Sequence, residues 1–312
     1  MSQLLHVELT NRCTLACPAC PRTTWKEITK RPIEKKDLSI DLFEKFLDCD
    51  EGKQIQTLLL CGDYGDCIYY PELLNFIKRF RDKKFDLRTN GSRKPIEFWI
   101  ELADLLTEED KIVFAIDGLE DTNHLYRKNS DWKSIMSAVD IMTKSKAQVE
   151  WQTIIFSFNQ FLLNDIKNFA EAKGAKFFAV KTHRFGDDNL IPGSSFVENN
   201  YTWQDSFVEN DPIDLDPQCD LAKIVTCDGY YLPCDWIRNP RTFYKSDLWV
   251  NRHQWLDRLS IDKINLAEGN KIINQWKQLV LEKAKNGSPR LDHLCKMRCR
   301  KGCIQSNLLE VT

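Results

Sequence analysis

The sequence lacks any apolar run long enough to cross a membrane. No stretch of its 312 residues reaches the roughly 18 consecutive apolar residues of a membrane-spanning helix. The first ten residues, MSQLLHVELT, also lack the basic start and the long apolar stretch of a secretory signal. We therefore expect a cytoplasmic protein with no membrane partner.

An excess of charge of either sign is absent as well. The chain has 44 Lys and Arg residues against 46 Asp and Glu residues, which gives a formal net charge of −2. Proteins that bind nucleic acid present a strongly basic surface, so no nucleic acid partner is expected. With 42% hydrophobic residues, the chain is long enough for one large core, or for one core and a smaller domain.

Cysteine, in contrast, is abundant, with twelve residues. In a reducing cytoplasm, clustered thiols bind metals or carry out redox chemistry more often than they form disulfides. Cys49, Cys61 and Cys67 lie singly in the middle of the chain, where Cys49 and Cys61 fit small buried apolar side chains. The other nine form a first group of Cys13, Cys17 and Cys20, and a second group of Cys219, Cys227, Cys234, Cys295, Cys299 and Cys303.

Strand-like and helix-like segments alternate between the two cysteine groups. The predicted strands are 4–9, 55–60, 85–88, 111–116, 149–155 and 176–180, and the predicted helices are 39–49, 71–80, 95–106, 131–144 and 164–173. Strands that are apolar throughout indicate a parallel sheet covered by helices. We predict an α/β fold with a partial (β/α)6 TIM-like barrel in residues 1–190, a linker over 191–218 and a small cysteine-rich domain over 219–312, which includes a helix near 270–286.

The first cysteine group directly follows the first predicted strand, with the spacing Cys13-x3-Cys17-x2-Cys20. In parallel α/β barrels, chemistry gathers at the carboxyl ends of the strands. A [4Fe–4S] cluster held by only three cysteines keeps one iron open for another molecule. A structural zinc ion with a distant fourth ligand is the alternative, because zinc takes four ligands.

This spacing resembles the signature of radical S-adenosylmethionine (SAM) enzymes, and the segments after the next strands agree with that family in order. The segment LLLCGDYGDCIYYPEL is similar to the family's Gly-Gly-Glu-Pro type motif, which holds the SAM amino group. Asp66 stands there where Glu is usual, and Cys67 where Pro is usual. The resemblance implies that the SAM amino group is held by Gly62, Asp63, Gly65 and Asp66.

Two further strand ends carry the resemblance. The turn RTNGS looks like the family's Thr-Asn-Gly turn and implies that Thr89 and Asn90 lie at the SAM site. The segment AIDGLEDTNHLYR looks like its Asp-Gly…His-x2-Arg stretch, which implies that Asp117 and Arg127 lie near the nucleoside and the carboxylate of SAM. A plain turn is the alternative for the Asp-Gly pair. Ala19 replaces an aromatic residue that is frequent in the family, so adenine must find apolar contacts elsewhere.

Polar residues near the fifth and sixth strands are candidates for the substrate side of the site. Gln152 is an inward-facing polar residue of the fifth strand, or a satisfied core amide. His183 follows the sixth strand with Lys181 and Arg184 and is a candidate proton acceptor. A solvated basic turn is the other interpretation of these three residues.

The second cysteine group resembles the SPASM/twitch extension of many radical SAM enzymes, which carries auxiliary iron–sulfur clusters. Gly229 is predicted to form the hairpin turn that returns Cys234 beside Cys219. One [4Fe–4S] cluster needs four cysteines, so the six thiols predict a single auxiliary cluster. Its ligands would be Cys219, Cys234 and two of Cys295, Cys299 and Cys303, with Cys227 as an alternative ligand. The last three cysteines have i, i+4 spacing and would share one face of a helix. A zinc ion in the same pocket is the other possibility.

The resemblance implies that one electron, delivered by an external donor such as flavodoxin or ferredoxin, cleaves SAM bound at the first cluster. The 5′-deoxyadenosyl radical so formed abstracts a hydrogen atom from the substrate. We predict that the substrate is a peptide or protein side chain, although no additional amino-terminal domain for gripping a leader peptide is evident. An aminoglycoside-like or nucleoside-like small molecule is one alternative, and a zinc-stabilised binding protein without turnover is another.

Overall fold

A single sheet organises the protein. The computed structural model describes residues 3–181, 223–238, 246–286, 295 and 308–309. Within these residues the strands follow the order β8-β7-β1-β2-β3-β4-β5-β6-β9. Strands β1 to β6 are parallel neighbours, as predicted for a partial TIM-like barrel. The strands are β1 Leu4–Val7, β2 Thr57–Leu60, β3 Lys84–Thr89, β4 Lys111–Ala115, β5 Gln148–Ile155, β6 Lys176–Lys181, β7 Ile224–Val225, β8 Tyr231–Leu232 and β9 Leu308–Leu309.

Helices connect the parallel strands and cover one side of the sheet. The five helices predicted between the strands are all present, with ends shifted by up to a few residues. A helix that was not predicted, α1, directly follows the first cysteine group. The helices are α1 Pro21–Thr29, α2 Ile40–Leu47, α3 Asp50–Lys53, α4 Leu73–Arg79, α5 Ile96–Leu105, α6 Asn123–Tyr126, α7 Trp132–Met142, α8 Leu163–Ala172, α9 Asp247–Val250 and α10 Leu266–Lys285.

Side-chain caps determine where several helices begin. The Ser39 side chain accepts a hydrogen bond from Leu42 N–H and caps α2, as the sequence predicts. Helix α10 begins four residues before its predicted start, because Asn265 and Glu268 form a capping box. At the end of α8, Gly174 has a φ of +88°, which only glycine adopts without strain.

The segment after residue 222 extends the same sheet. Strand β7 pairs in parallel with β1, and β8 pairs antiparallel with β7. Gly229 has a φ of +85° and lies in the turn between them, which confirms the predicted hairpin. Trp276 of α10 belongs to the same apolar core as the barrel strands. The boundary predicted at 219 lies outside the described residues and stays a prediction, but the described residues on its carboxyl side share one sheet and one core with the barrel.

The two faces of the sheet differ in chemistry. Phe85 and Leu87 of β3 belong to the core beneath the helices, and the Phe85 ring contacts the Phe76 ring of α4 at 6.4 Å. Asp86 and Arg88 alternate with them and point to the opposite face, which we call the inner face. In the described part of the chain, no helix combines the length and apolarity needed to span a membrane.

Candidate active site

The first cysteine group lies on the loop between β1 and α1. Ala16 N–H donates to the Lys128 carbonyl (3.0 Å), and Cys20 N–H donates to the Cys17 carbonyl (3.1 Å). Cys20 is also the N-cap residue of α1, which begins at Pro21. The loop is therefore fixed in its middle by hydrogen bonds and at its end by a helix.

The three thiols share one apolar environment. Cys17 is 7% exposed and packs with Tyr126 and Phe156, and Cys13 and Cys20 pack against the same cluster. Burial is the main factor that raises the pKa of the Cys13 thiol to about 12, followed by a nearby carboxylate and the other two thiols. A thiol in this environment stays protonated at neutral pH unless a metal stabilises the thiolate.

The chemistry of this loop fits a cluster held by three cysteines. Cys13 interacts electrostatically with Cys17 and with Cys20, and soft thiolates are the ligands of iron–sulfur clusters. Among the described residues, the side chains as they stand form no group of three or more His, Cys, Asp or Glu that could hold a metal ion. The zinc alternative needs four ligands, and the described residues gather no such group either.

The loop after β2 packs tightly against the cysteine loop. Asp66 N–H donates to the Arg12 carbonyl at 3.0 Å, and the Cys20 thiol approaches the Asp63 carbonyl at 3.8 Å. A Cβ on Gly65 would lie 1.9 Å from the Thr10 carbonyl oxygen. Only glycine permits this approach, so Gly65 brings the two loops together.

Asp66 joins this loop to the turn after β3. It is 7% exposed, and its Oδ2 accepts from the Asn90 backbone N–H at 2.6 Å and from the Asn90 side-chain amide. Its Oδ1 accepts from Ile68 N–H at 3.2 Å. Burial raises the pKa of Asp66, and the bonds from Asn90 oppose that shift. The predicted SAM-amino ligand is thus already fixed in place by the protein.

The turn after β3 touches the cysteines as well. The Asn90 amide lies 3.7 Å from the Cys13 sulfur, within reach of a weak hydrogen bond. Its Oδ1 accepts from Ser92 N–H at 2.9 Å, and Thr89 Oγ1 accepts from Gly91 N–H at 3.0 Å. The structure therefore brings Cys13, Asp66 and Asn90 together, although they lie on three separate loops.

Asp117 and Arg127 form an enclosed ion pair. The Arg127 Nε–H donates to Asp117 Oδ2 at 2.6 Å, and Ile154 N–H donates to Asp117 Oδ1 at 2.8 Å. The Asp117 side chain is 0% exposed, and the Arg127 side chain is 13% exposed. Each oxygen of Asp117 thus accepts one hydrogen bond from the protein, and its contact with the ribose of SAM stays a prediction. Asp117 also holds Arg127.

Arg127 lies beside the cysteine loop. Burial opposes the charged form, but Asp117 and the nearby Cys17 outweigh it and raise the pKa of Arg127. The guanidinium also lies 5.2 Å from the centre of the Tyr126 ring. A permanent positive charge is therefore held at the edge of the site, where an anionic group of a ligand would be attracted.

Aromatic rings line another side of the cysteine loop. Tyr126 and Phe156 lie 4.7 Å apart between ring centres, and Phe158 stacks on Phe156 at 5.4 Å with an angle of 13°. Ala19 and the three cysteines pack against this group. The sequence analysis missed these aromatic residues, although the run FSFNQF directly after β5 was a signal.

Charged side chains cover the inner face of the sheet. Lys111 lies 3.0 Å from Asp86 and 3.7 Å from Glu150, and Arg88 lies 3.3 Å from Asp86. Gln152 is half-buried on β5, on the same side as Glu150. The sequence analysis identified Gln152 but missed the other four, whose signal was charge at alternate positions within strands.

The second cysteine group is described only in part. Cys227 is 4% exposed, and its sulfur lies 3.4 Å from Glu8 Oε2. Burial and this carboxylate raise the pKa of Cys227. The Cys234 sulfur lies 3.7 Å from Asp235 Oδ1, and Cys295 is buried in the main core. Cys219, Cys299, Cys303, His183 and Arg184 lie outside the described residues, as does the side chain of Lys181.

A buried carboxylate links β1 to this second group. Glu8 accepts from Tyr64 N–H at 2.9 Å and pairs with Arg238 at 3.2 Å. Arg238 also pairs with Asp228 at 2.8 Å and lies 4.9 Å from the Tyr64 ring centre. This junction, which the sequence analysis did not identify, fixes the segment around Cys227 and Cys234 to the loops after β1 and β2.

Comparison with known sequences gives a partial match. No model of a protein family matches the chain. Over 117 residues the chain is 30% identical to the tungsten-containing aldehyde ferredoxin oxidoreductase cofactor-modifying protein of Pyrococcus furiosus. This match covers 37% of the chain and 31% of the relative, so the chain matches about a third of that relative's length.

Comparison with solved structures matches nearly the whole chain. The fold is similar to that of anSMEcpe with bound AdoMet, with a TM-score of 0.55, 12% identity, and coverage of 95% of this chain and 88% of the other. It is also similar to Streptococcus suis SuiB bound to S-adenosylmethionine, with a TM-score of 0.56, 13% identity, and coverage of 95% and 77%. Both are radical SAM enzymes, so the chain has the fold of a radical SAM enzyme.

Proposed function

We propose that the protein is a radical SAM enzyme that holds a [4Fe–4S] cluster with Cys13, Cys17 and Cys20 and binds SAM at the adjoining strand ends. The observation that carries this proposal is the position of Asn90, whose amide approaches both the Cys13 sulfur and the Asp66 carboxylate. Three consecutive strand ends thereby converge on one point. This is the rim where parallel barrels place their chemistry.

When bound, the cluster supplies one electron for the reductive cleavage of SAM, and hence the radical that removes a hydrogen atom from the substrate. The protein's own residues bind and orient. Asp66 keeps lone pairs beyond the bonds it already accepts, so it can receive the SAM ammonium group as well. Asn90 fixes that carboxylate, which is 7% exposed, in position.

Arg127 is the proposed ligand of the SAM carboxylate. Its Nε–H is used by Asp117 at 2.6 Å, and a guanidinium carries further N–H donors on its terminal nitrogens. Asp117 prevents the side chain from rotating away and compensates for its burial. We therefore assign Asp117 the role of positioning Arg127.

The aromatic pair Phe156 and Phe158 is the proposed apolar contact for adenine. It borders the cysteine loop, where Ala19 offers no ring of its own. Offset stacking on aromatic rings is favourable for a flat heterocycle. The aromatic pair at the end of β5 would thus supply the contact that an aromatic residue before the third cysteine would otherwise supply.

The substrate is proposed to lie against the charged inner face, below the SAM site. Gln152 and Glu150 of β5 and Arg88 of β3 point there from either side of β4, and His183, outside the described residues, stays a candidate proton acceptor. A peptide or protein side chain is the favoured substrate. In support, anSMEcpe has been solved with a Cp18Cys peptide and SuiB with the precursor peptide SuiA.

The second cysteine group is the proposed site of an auxiliary [4Fe–4S] cluster. Cys219, Cys234, Cys295, Cys299 and Cys303 remain the candidate ligands. The carboxylate 3.4 Å from Cys227 disfavours a thiolate there, which makes Cys227 the weakest candidate. The Glu8–Arg238 junction would fix such a cluster relative to the barrel.

SAM cleavage tests the proposed function. Protein reconstituted anaerobically with iron and sulfide, then reduced with dithionite in the presence of SAM, is expected to form 5′-deoxyadenosine. Replacing Cys13, Cys17 and Cys20 by Ala should abolish the product, whereas Cys49→Ala, at the start of α3, should not. Unchanged cleavage in the triple variant would overturn the proposal, and a colourless protein that binds only zinc would favour the binding-protein alternative.

A further inference from the structure

A strongly basic segment follows the first cysteine group. In residues 22–36, Lys and Arg outnumber Asp and Glu by six to two, while the whole chain has a net charge of −2. The two acidic residues are Glu27 and Glu34. The basic residues are Arg22, Lys26, Lys30, Arg31, Lys35 and Lys36.

Most of this charge faces solvent. Lys26, Lys30, Arg31 and Lys35 are all exposed. Within the described residues, the ion pairs of the segment are limited to that of Lys36 with Glu34 at 3.1 Å. The segment therefore carries a net charge of +4, and most of its cations are exposed.

Both ends of the segment are attached to the cysteine loop. At one end, Cys20 caps α1, and the Arg22 guanidinium donates to the Asn11 carbonyl. At the other end, the Asn11 side chain donates to the Glu34 carbonyl at 2.7 Å and accepts from Lys36 N–H at 2.9 Å. Asn11 lies two residues before Cys13. The basic surface is thus built onto the loop that would hold the cluster.

The distance between this surface and the cluster site is short. Helix α1 has nine residues, which at about 1.5 Å per residue makes it about 14 Å long. Every cation on the helix therefore lies within about one helix length of Cys20. A partner that docks on this surface comes close to the cysteine loop.

Helix stability explains only part of the charge. Cations near the carboxyl end of a helix interact favourably with its dipole, which accounts for Lys26 and Lys30. It does not account for Arg31 and Lys35, which follow the helix.

We propose that residues 22–36 form the docking surface for an acidic one-electron carrier protein of the flavodoxin or ferredoxin type. This inference rests on the proposed function, which requires one electron for each SAM cleaved. The reduced carrier would lose one electron, a cluster held by the three cysteines would gain it, and no atom would be transferred. Opposite charges on the two surfaces steer such a transient encounter and fix its orientation.

Binding of a carrier protein tests the surface directly. The variant Lys26→Glu, Arg31→Glu, Lys35→Glu reverses three exposed charges and leaves the anchoring residues Arg22 and Lys36 intact. Its dissociation constant for an acidic flavodoxin, measured by calorimetry at low salt, is expected to rise at least about tenfold. The measurement is made with reconstituted and with metal-free protein, so it does not depend on turnover.

A matched control reverses three charges at the opposite end of the barrel. Lys53, Lys144 and Lys146 are exposed and precede β2 and β5 at the amino ends of the strands. Replacing them by Glu changes the net charge equally and should leave flavodoxin binding unchanged. Equal weakening by both triple variants would overturn the proposal, because it would show a general charge effect.

Two reductants separate this inference from the proposed function. With dithionite, which needs no docking surface, the Lys26, Arg31, Lys35 variant should form 5′-deoxyadenosine at the wild-type rate. With reduced flavodoxin, its rate should fall at least about tenfold at low salt. If this variant bound flavodoxin as tightly as wild type and formed 5′-deoxyadenosine with reduced flavodoxin at the wild-type rate, the inference would be overturned. Failure of wild-type protein to cleave SAM with dithionite would overturn the proposed function instead.

Discussion

Arg127 and Asp117 show how single residues determine the character of the site. Asp117 is completely buried, and its carboxylate is satisfied by Arg127 and by the Ile154 backbone. A carboxylate buried without its cation is strongly unfavourable. The pair therefore keeps a guanidinium charged and in one orientation next to the cysteine loop.

Removal of Arg127 alone is expected to destabilise the protein severely. Arg127→Met leaves the Asp117 carboxylate buried without its cation and should lower the free energy of unfolding in urea by about 3–5 kcal/mol. The variant Arg79→Met, which breaks an exposed Arg–Glu44 pair, should lower it far less. The double variant Asp117→Asn, Arg127→Met should lose at least about 1 kcal/mol less than the two single changes added together. If the losses of unfolding free energy in the two single variants simply added up in the double variant, the proposed interaction between Asp117 and Arg127 would be wrong.

The buried Cys67 thiol is expected to make the free energy of unfolding depend on pH in alkaline solution. Burial raises the pKa of Cys67 well above 9.0, its value in the unfolded chain. Because the folded state retains this proton while the unfolded state loses it, stability should be constant below pH 9 and fall as the pH rises above it. The slope from one such group is at most about 1.4 kcal/mol per pH unit. In Cys67→Ser, urea unfolding between pH 9 and 10.5 should give a shallower slope than wild type; equal slopes would show that Cys67 does not contribute.

At the scale of elements, the site depends on the close approach of loops that follow neighbouring strands. Parallel strands bring their carboxyl ends to one rim, and β1, β2 and β3 are direct neighbours in the sheet. Gly65 and Asn90 then close the remaining gaps. The cysteine loop is consequently braced by the loops after β2 and β3.

A methyl group at position 65 is expected to separate two of these loops. In Gly65→Ala, the new Cβ would lie 1.9 Å from the Thr10 carbonyl oxygen, so the backbone must move. We expect a loss of about 1–3 kcal/mol in unfolding free energy and weaker SAM binding to reconstituted protein. Gly174→Ala is the control, because its Cβ meets only the Thr143 side chain at 3.6 Å and Gly174, which also has a positive φ, precedes β6 at the amino ends of the strands. If both variants bound SAM equally well, the bracing role of Gly65 would be wrong.

Strands and helices were predicted correctly where a hydrophobic pattern extends over many residues. The apolar strands and the amphipathic helices α2, α5 and α7 have clear periods, and all lie where they were predicted. Helix α1 was missed because it buries only Thr24 and so has no apolar stripe. Strands β7, β8 and β9 have two residues each, too few to show a pattern.

The same limit applies to the site. Cysteine spacing and the motifs after each strand predicted which loops meet, because these signals are local in the chain. Which atoms pair within the site depends on the tertiary structure. The engagement of Asp117 by Arg127 and by Ile154, 37 residues away, leaves no trace in the sequence.

At the scale of the whole molecule, one sheet connects the first cysteine loop to the described part of the second cysteine group. Strand β7 extends the sheet beside β1, and the buried Glu8–Arg238 pair ties the segment around Cys227 to the first strand. A cluster at each group would therefore be held by a single rigid framework. The proposed carrier surface at residues 22–36 lies on the first cysteine loop, where an electron from outside would enter.

The electron paramagnetic resonance spectrum of the reduced, reconstituted protein tests the central claim most directly. If Cys13, Cys17 and Cys20 leave one iron open, addition of SAM should change the spectrum of that cluster. The change should vanish in the triple Ala variant and persist in Cys49→Ala. A cluster signal that SAM leaves unaltered in wild-type protein would contradict the account.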